Sequence, residues 1–346
     1  MLRYLTSGES HGRALLSILE GIPAGLKVQV IRINQEMKRR QKGYGRGKRM
    51  QIEQDRIEIL CGLKNNLALG SPIGILIKNK DFSIEKLPKV ISPRPGHADL
   101  SGLLKYGFSD IREVLERASA RQTAAWVAIG AICKILLEQF KIRITSRVLE
   151  VGGSKNPAQI KKIIDQARKN KDTVGGMFQV KAKGVIPGLG GYTQPGQRLD
   201  SRLAQAIISI PGVKAVEIGL GFGYADKPGS QVHDAIYYSS TKGYYRRTNN
   251  AGGIEGGISN GEDIILNACM KPISTLLAPL DSVNIKTRKK AKASIERSDI
   301  CVVEAAGVIA EAAVAFELAG AFLDKFGSDS LGDIKAGYQH YLKRLK

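Results

Sequence analysis

Two long segments of the chain, residues 119–140 and 301–324, carry alanine and larger aliphatic residues on most faces of a helix. A surface helix confines its apolar residues to one stripe, whereas a helix that is apolar all round is buried. Two buried helices need further layers to cover them, and strand-like segments elsewhere in the chain can supply antiparallel sheets. We therefore predict an α+β fold with both helices between antiparallel sheets, in a single large domain that comprises residues 1–346.

The remaining segments are assigned from their apolar period and their turn residues. Strands are predicted on both sides of a turn at 8–12, and at 55–62, 71–79, 143–151, 177–186 and 213–219. Helices are predicted at 157–170 and 199–210, and Asn34 could cap a short helix that ends at Arg40. Residues 219–261 are rich in glycine, and the segment 243–261, with six glycines, should not be helical. Residues 326–346 are expected to form a short basic tail.

Two short patterns recur along the chain. The turn at residues 21–25 (GIPAG) is echoed by residues 185–190 (VIPGLG). An arginine next to small residues precedes each buried helix, at Arg117 and at Arg297. These echoes suggest an internal duplication.

The charge of the chain implies an anionic partner. Its 346 residues include 53 Lys and Arg against 32 Asp and Glu, which gives a formal net charge of +21. Nucleic acid and phosphorylated small molecules are the two candidates. The basic segment 38–49 contains one aromatic residue, Tyr44, whereas platforms that stack nucleic acid bases carry more. A mobile loop over a multiply charged small molecule fits this segment at least as well.

Cysteine usage and hydropathy indicate the compartment. The four cysteines are far apart and form no Cys-x-x-Cys pair, which argues against a zinc site and fits reduced thiols. No uninterrupted apolar run approaches the roughly 18 residues that span a bilayer. The N-terminal segment MLRYLTSGES lacks the apolar core of a signal peptide. We expect a cytoplasmic protein with no metal and no membrane partner.

The segment Gly8-Glu9-Ser10-His11-Gly12 places a carboxyl, a hydroxyl and an imidazole between two glycines, in a chain with only four histidines. It matches the G-x-S-x-G elbow of serine hydrolases, but that elbow follows a strand inside a sheet already built from earlier strands. An ordinary turn with a solvated histidine and an acid–base site are the other interpretations. The pentapeptide alone does not decide among the three.

Two arginine-rich segments precede the buried helices. Arg117 and Arg121 are one helical turn apart at the predicted start of the first helix, with Ser119 as a candidate N-cap. Free N–H groups and the helix dipole favour an anion there, so a phosphate or carboxylate site is predicted, with an exposed arginine pair as the alternative. Before the second helix, Asp299 is either a helix cap or a rigidly held base.

Two further segments could contact a ligand. Residues 271–275 (KPIST) combine a cation with two hydroxyls and could hold a phosphate, although such pentapeptides are frequent by chance. Residues 93–99 (PRPGHAD) are expected to form a rigid loop that carries His97.

Together these segments resemble the signatures of the chorismate synthase family. The N-terminal signature is matched at residues 8–12 and 20–23, the middle one at 116–123 (ERASARQT) and the late one at 297–311. RRQKGYGRGKRM, RPGHAD, AVEIG, AGGIEGGISNG and KPIST match in order between them. The resemblance covers roughly residues 3–325.

The resemblance implies a reaction and a cofactor. The family converts 5-enolpyruvylshikimate-3-phosphate to chorismate by 1,4-anti elimination of phosphate, and it requires reduced FMN although the reaction has no net redox change. Long insertions associated with members that reduce their own flavin are absent from this sequence. An external source of reduced FMN, not NADPH used by the chain itself, is therefore expected. The family fold is a β-α-β sandwich assembled as a homotetramer, a dimer of dimers, and its anionic ligands would account for the charge without nucleic acid.

The resemblance also implies roles for individual residues. His11 would protonate the departing phosphate, His97 would protonate or hydrogen-bond the reduced flavin, and Asp299 would act with flavin N5 to remove the ring proton. The substrate anions, or a nucleotide phosphate, would be held by Arg40, Arg46, Arg49 and Arg121. The residues expected to line FMN are Arg117, Ala118, Ser119, Gly212, Gly256, Lys271, Pro272, Ile273, Ser274, Thr275 and Arg297.

A few positions depart from the commoner family pattern. Gln122 and Trp126 stand where Glu and Arg are more usual, and Glu304 replaces a frequent proline. Pro211-Gly212 stands where Asn-Ala or Pro-Ala is usual beside the flavin. None of these departures removes a proposed catalytic group.

Overall fold

The protein is described by a computed structural model that covers residues 1–47, 54–241, 243–296 and 298–345. Its helices, numbered here in chain order, are α1 (Val30–Gln41), α2 (Asp99–Tyr106), α3 (Ile111–Ala118), α4 (Thr123–Glu138), α5 (Pro157–Lys169), α6 (Leu199–Ile208), α7 (Gly229–Val232), α8 (Val303–Phe326) and α9 (Leu331–Arg344). Helices and antiparallel sheets occur in one chain, so the α+β class is confirmed.

The strands form two main antiparallel sheets and several small ribbons. The first sheet contains β1 (Arg3–Ser7), β2 (Ala14–Glu20), β3 (Ile57–Cys61) and β6 (Ile73–Lys78); the second contains β7 (Arg143–Val151), β8 (Gly176–Lys183), β9 (Val213–Ile218) and β14 (Ile264–Met270). The ribbons are β4–β5 (Leu63–Lys64, Leu67–Ala68), β10–β11 (Ile236–Ser239, Gly243–Arg246), β12–β13 (Ile254–Glu255, Ile258–Ser259) and β15–β16 (Asp281–Val283, Lys290–Lys292).

The buried layer of the protein consists of helices α4 and α8, which pack on each other. Helix α4 contacts β2 and β6 of the first sheet, and α8 contacts β7 and β8 of the second. Strand alternation fits the second contact, because Phe178, Val180 and Ala182 on β8 are buried while the residues between them are half-buried. The prediction of two buried helices is confirmed.

The two sheets share one topology. In chain order their four strands lie first, second, fourth, third across each sheet, as β1-β2-β6-β3 and β7-β8-β14-β9. One helix separates the second and third strands in each half, α1 in the first and α6 in the second, and one long buried helix follows the fourth strand. The echoed turns at residues 21–25 and 185–190 both follow the second strand of their sheet. The structure thus supports the internal duplication.

Several predicted element boundaries are wrong. Helix α1 begins at Val30, and Asn34 lies inside it, where its side-chain oxygen accepts a hydrogen bond from the Ile57 amide at 3.0 Å. The basic segment 38–49 is therefore not all loop, because its first residues form the last turn of α1. The predicted tail 326–346 contains α9, whose Tyr338 packs its ring on Phe140.

The first buried helix also begins later than predicted. Helix α3 ends at Ala118, a short 3₁₀ turn covers Ala120–Gln122, and α4 begins at Thr123. Arg117 and Arg121 therefore do not lie one turn apart on a single helix. Ser119 is a cap, as predicted, but of the 3₁₀ turn: its hydroxyl accepts the Arg121 amide at 3.3 Å.

Two helical segments, Ile111–Glu138 and Val303–Phe326, are long and apolar enough to cross a membrane by length and composition alone. About four fifths of each apolar window, 78% and 83%, is buried inside the protein. Charged residues interrupt the apolar run in each segment, Lys134 in the first and Glu311 in the second, and both side chains are buried.

Gly130 on α4 marks the closest approach of the two central helices. A Cβ added there would lie 2.4 Å from the Ala312 Cα and 2.6 Å from its carbonyl oxygen. Because backbone atoms cannot rotate away, we expect Gly130→Ala to lower the free energy of unfolding by about 2 kcal/mol or more, despite the better helix propensity of alanine. Urea unfolding followed by circular dichroism measures this loss.

Gly196→Ala is the control for that substitution. A Cβ at Gly196 meets no atom within 4 Å, so its stability should change by less than about 0.5 kcal/mol. Equal stabilities for the two variants would contradict the close helix contact.

Candidate active site

His11 is held by a buried carboxylate from another part of the chain. The turn that carries it joins β1 to β2, and His11 is 7% exposed. Its Nδ1 lies 2.9 Å from Oε1 of Glu116 on α3, and its backbone amide donates to Oε2 of the same carboxylate at 2.7 Å. Burial raises the pKa of Glu116, but its hydrogen bonds with His11 and the nearby Arg112 outweigh burial, so the pKa lies below its ordinary value.

The geometry settles two of the three interpretations of the pentapeptide. The turn connects two strands of a hairpin, whereas a hydrolase elbow connects a strand to a helix. Ser10 is buried and its hydroxyl receives a hydrogen bond from Ser119 at 3.2 Å. His11 is not solvated either. The acid–base interpretation is the one that fits.

Asn79 ties this turn to a buried arginine. Its Nδ2 donates to the carbonyl oxygen of Gly12 at 2.7 Å, and its Oδ1 accepts from Nε and Nη2 of Arg121 at 2.9 and 2.7 Å. Arg121 also donates to Oδ1 of Asp55 at 2.6 Å. The guanidinium is thereby fixed on the side of the turn that carries His11.

Asp55 joins Arg121 to Arg40. Arg40, on the last turn of α1, lies 3.3 Å from Oδ2 of Asp55 and donates to the Thr123 hydroxyl at 3.0 Å. Burial lowers the pKa of Arg40 to about 10, with Asp55 opposing the shift and Arg121 adding to it. Arg40 remains protonated at neutral pH, so two buried cations share one carboxylate and leave this region positive.

Asp299 meets the segment that follows α1. Its Oδ1 accepts a hydrogen bond from the Gly47 amide, and its Oδ2 lies 3.4 Å from Nη1 of Arg46. Helix α8 begins at Val303 with Val302 as its cap, so the interpretation of Asp299 as a helix cap is wrong. Its carboxylate is partly exposed and lies among the arginines of the site.

His97 is held by a second buried carboxylate. Its Nδ1 lies 2.5 Å from Oδ1 of Asp99, the first residue of α2. Arg94 donates two hydrogen bonds to the same carboxylate, from Nε at 2.8 Å and from Nη2 at 2.9 Å. Burial opposes ionisation of Asp99, but these hydrogen bonds hold its pKa well below the usual range. Arg94 also donates to the buried Thr275 hydroxyl at 2.7 Å, which brings His97 beside the KPIST segment.

Lys271 and Ser274 both contact the carbonyl oxygen of Gly96, directly before His97 in the chain. Lys271 Nζ contacts the Gly96 carbonyl oxygen and lies 2.9 Å from the Ser274 hydroxyl, which donates to the same carbonyl at 2.7 Å. Gly96 has a φ of +74°, and a Cβ there would lie 3.3 Å from the Lys271 ammonium. Burial, followed by repulsion from Lys214, lowers the pKa of Lys271.

The other positions predicted to line FMN lie in two places, beside the turn that carries His11 and beside Lys271. Arg117 donates to the Gly8 carbonyl at 2.8 Å and to Thr6, so it braces the turn that carries His11, and Ala118 follows it as the last residue of α3. The Gly212 carbonyl accepts a hydrogen bond from the Lys271 amide at 2.9 Å, and the Ile273 carbonyl accepts one from the Thr173 hydroxyl at 2.7 Å. Pro272 lies between Lys271 and Ile273 in the chain. Arg49 and Arg297 lie outside the described residues.

Gly256 and Lys271 lie towards opposite ends of β14. Gly256 lies between β12 and β13, near the start of β14, where the Gly252 carbonyl accepts the Ile265 amide. Lys271 follows the other end of that strand. Six steps of about 3.3 Å separate the two ends of this strand by about 20 Å.

Helix α3 connects the two histidine clusters. Glu116 contacts His11, and Arg112, one turn earlier, donates to the Pro88 carbonyl at 3.3 Å and to Glu296 at 2.8 Å. In the chain, Pro88 shortly precedes the loop that carries His97, and Glu296 shortly precedes Asp299.

Two open cavities of about 280 and 290 Å³ lie elsewhere, one lined by Arg39 and Arg147 and the other by Tyr4 and Trp126.

Sequence reasoning missed the buried partners. Asp55, Asn79, Asp99 and Glu116 each fix a predicted site residue, yet none was given a role. Asp99 could have been found, because it is two residues from His97. The others pair across long separations in sequence, which spacing alone does not reveal.

A basic region with two histidines, each held by a buried carboxylate, is typical of an enzyme that performs acid–base chemistry on an anionic small molecule. Comparison with known proteins identifies the family. The sequence model of the family described as chorismate synthase matches residues 2–323.

A chorismate synthase of Caldanaerobacter subterraneus subsp. tengcongensis is 52% identical over 348 aligned positions, which cover 100% of this chain and 99% of the relative. One of Pelobacter propionicus is 48% identical, with both chains fully covered. A solved structure described as the crystal structure of chorismate synthase superposes with a TM-score of 0.83 at 39% identity, over 99% of this chain and 98% of the other. This chain therefore belongs to the chorismate synthase family.

Proposed function

We propose that this protein catalyses the 1,4-anti elimination of phosphate from 5-enolpyruvylshikimate-3-phosphate to give chorismate, and that it requires reduced FMN. The observation that carries the proposal is the buried pairing of His11 with Glu116 beside the Arg40–Asp55–Arg121 cluster. It joins a proton donor to fixed cations, which is what the departure of a phosphate dianion requires.

The arginines are suited to a substrate that carries one phosphate and two carboxylates. Within the described residues, Arg40, Arg46 and Arg121 lie beside two carboxylates, Asp55 and Asp299. Because Arg40 and Arg121 are already held by hydrogen bonds, little side-chain entropy is lost on binding.

His11 and Asp299 divide the proton transfers. With Nδ1 facing Glu116, His11 has Nε2 available to protonate the phosphate oxygen as the carbon–oxygen bond breaks. Asp299 would accept the ring proton, since its carboxylate is partly exposed and close to the substrate-binding arginines. These are the roles that the family resemblance implies for the two residues.

The residues around His97 fit FMN. Lys271, Arg94, Ser274 and Thr275 combine two cations with two hydroxyls, a donor set suited to a phosphate and to the polar edge of a flavin. A side chain on Gly96 would crowd Lys271, which explains glycine there. When bound, reduced FMN supplies the transient electron that makes the otherwise difficult anti elimination feasible. His97, fixed by Asp99, would hydrogen-bond the reduced flavin or supply its proton.

The finer features of the family are part of the same proposal. We assign the two sheets and central helices to a β-α-β sandwich, assembled as a homotetramer in the cytoplasm. Reduced FMN would come from a separate reductase, so the purified chain with free FMN and NADPH should show no turnover. Chorismate formation under those conditions, without added reductase, would contradict the external supply.

The test is anaerobic incubation of the purified protein with 5-enolpyruvylshikimate-3-phosphate and chemically reduced FMN. We expect stoichiometric release of phosphate and chorismate absorbance. Absence of both would overturn the proposal. Salt-sensitive binding to duplex DNA without flavin binding would then favour a nucleic-acid-binding protein, and labelling of Ser10 by a fluorophosphonate would favour a hydrolase.

A further inference from the structure

Glu116 and Arg112 form a buried pair on one face of α3 that the reaction described above does not use directly. They are four residues apart, and both are more than nine tenths buried. Their side chains contact His11, Pro88, Glu296 and each other. Their contacts lead to His11 on one side and to the loop before His97 on the other.

The Glu116 carboxylate fixes both the ring and the backbone of His11. Oε1 lies 2.9 Å and Oε2 lies 3.2 Å from Nδ1, while Oε2 also accepts the His11 amide at 2.7 Å. An ionised carboxylate only accepts hydrogen bonds, so Nδ1 must carry a proton. The remaining nitrogen, Nε2, then faces away from Glu116 and is the only ring nitrogen that can exchange a proton with a ligand.

Arg112 lies beside this carboxylate and adds to the lowering of its pKa, after the hydrogen bonds with His11. Its Nε and Nη2 donate to the Pro88 carbonyl and to Glu296, and its Nη1 lies 4.0 Å from Oε1 of Glu116. Nη1 is buried and makes no hydrogen bond within the part of the chain that the structure describes, so its charge is directed at Glu116 without a competing acceptor. Cation, carboxylate and imidazole thus follow one another in a line.

We infer that Glu116 is a positioning residue for the proton transfer by His11, and that Arg112 is its anchor. The inference rests on the proposed function for the identity of the reaction. Glu116 keeps the proton on Nδ1 throughout, so His11 gives the Nε2 proton to the leaving phosphate oxygen and becomes the neutral Nδ1–H form. The electron pair of the broken carbon–oxygen bond leaves with the phosphate, and a proton from solvent restores Nε2.

The discriminating substitution is Glu116→Gln, which keeps the shape of the side chain. The glutamine amide can either accept from Nδ1–H or donate to bare Nδ1, so it no longer specifies the tautomer. We expect kcat to fall by about 10²-fold or more, because the neutral amide no longer stabilises the doubly protonated imidazolium that gives its Nε2 proton to the phosphate oxygen. KM and FMN binding should change by less than about threefold.

Glu113→Gln is the matched control. It lies on the same helix and is exposed, so the same change of charge should leave kcat, KM and FMN binding unaltered. Thermal unfolding of both variants shows whether α3 remains folded. An activity loss that is explained by unfolded protein would overturn a positioning role.

A spectroscopic measurement separates this inference from the proposed function. The chain has four histidines, so ¹⁵N-histidine labelling gives few ring signals, and His11→Gln identifies the one from His11. We expect neutral His11 to be protonated at Nδ1 in the native protein and to become a mixture of tautomers in Glu116→Gln. If the native protein already holds a mixture, or if the variant retains full kcat, the inference fails. If the native protein releases no phosphate but shows the tautomer change, the proposed function fails and the positioning of His11 stands.

Discussion

Replacement of Asp299 by asparagine is expected to lower kcat by roughly 10²–10⁴-fold while FMN and substrate affinities change by less than about threefold. Asparagine has the same shape and still offers an oxygen to the Gly47 amide. It loses only the charge and the capacity to accept the ring proton. Single-turnover phosphate release under anaerobic conditions measures the chemical step, and flavin fluorescence with substrate titration measures binding.

The structure removes one alternative explanation for a loss of activity in Asp299→Asn, namely a weakened helix α8. Asp299 is not the cap of α8, so its substitution should not weaken that helix. Asp226→Asn is the control, because this carboxylate is 78% exposed and pairs only loosely with Lys227 at 3.7 Å. Loss of binding in Asp299→Asn, with chemistry intact for the complex that still forms, would show that Asp299 holds Arg46 and the 42–47 segment and is not a base.

The fold was predictable where a strong period governs a long segment. Residues 143–151 form β7 as predicted, and the helix predicted at 157–170 spans 157–169. The strands predicted at 55–62 and 71–79 are observed at 57–61 and 73–78, and they pair with each other. Strand β14 was missed, although it is central in the second sheet, because its seven residues follow a glycine-rich stretch that obscured the alternation. Helices α2 and α3 were missed because each spans only two turns.

The sequence was enough to name candidate site residues but not to show their arrangement. His11, His97 and Asp299 were named from the family signatures, and the structure surrounds each with polar partners. The pairing of His11 with Glu116 spans 105 positions, and that of Arg121 with Asp55 spans 66. Sequence spacing carries no information about such pairs, since the fold alone brings them together.

A further buried carboxylate, that of Glu311, joins α1, α4, α8 and β7 and has a structural role. Glu311 on α8 is fully buried, and it accepts from Arg39 Nη2 at 2.7 Å and from the Ser146 hydroxyl at 2.6 Å. Lys134 on α4 contacts both Glu311 and Glu36. One carboxylate thus joins the three helices and the first strand of the second sheet.

Glu311→Ala is expected to lower the free energy of unfolding by about 3–5 kcal/mol, because it leaves the Lys134 ammonium and the Ser146 hydroxyl without their buried acceptor. The control is Glu58→Ala, which breaks an exposed ion pair with Lys78 and should cost about 1 kcal/mol or less. Urea unfolding at pH 7 measures both losses. A Glu311→Ala loss no larger than that of Glu58→Ala would show that the cluster contributes little.

The pH dependence of stability tests the same charge without removing the side chain. Burial opposes the ionisation of Glu311, but hydrogen bonds and charges from Arg39, Lys134 and Ser146 outweigh it, so its pKa in the folded protein lies below the ordinary value of 4.5. A lowered folded pKa contributes stability that is complete above about 4.5 and is lost as the pH falls towards the folded value. Glu311→Gln has no charge to titrate, so its stability should fall less steeply below that pH than that of the native protein. Parallel curves for the two proteins would mean that Glu311 is already neutral in the folded state, and that its hydrogen bonds, not its charge, join the helices.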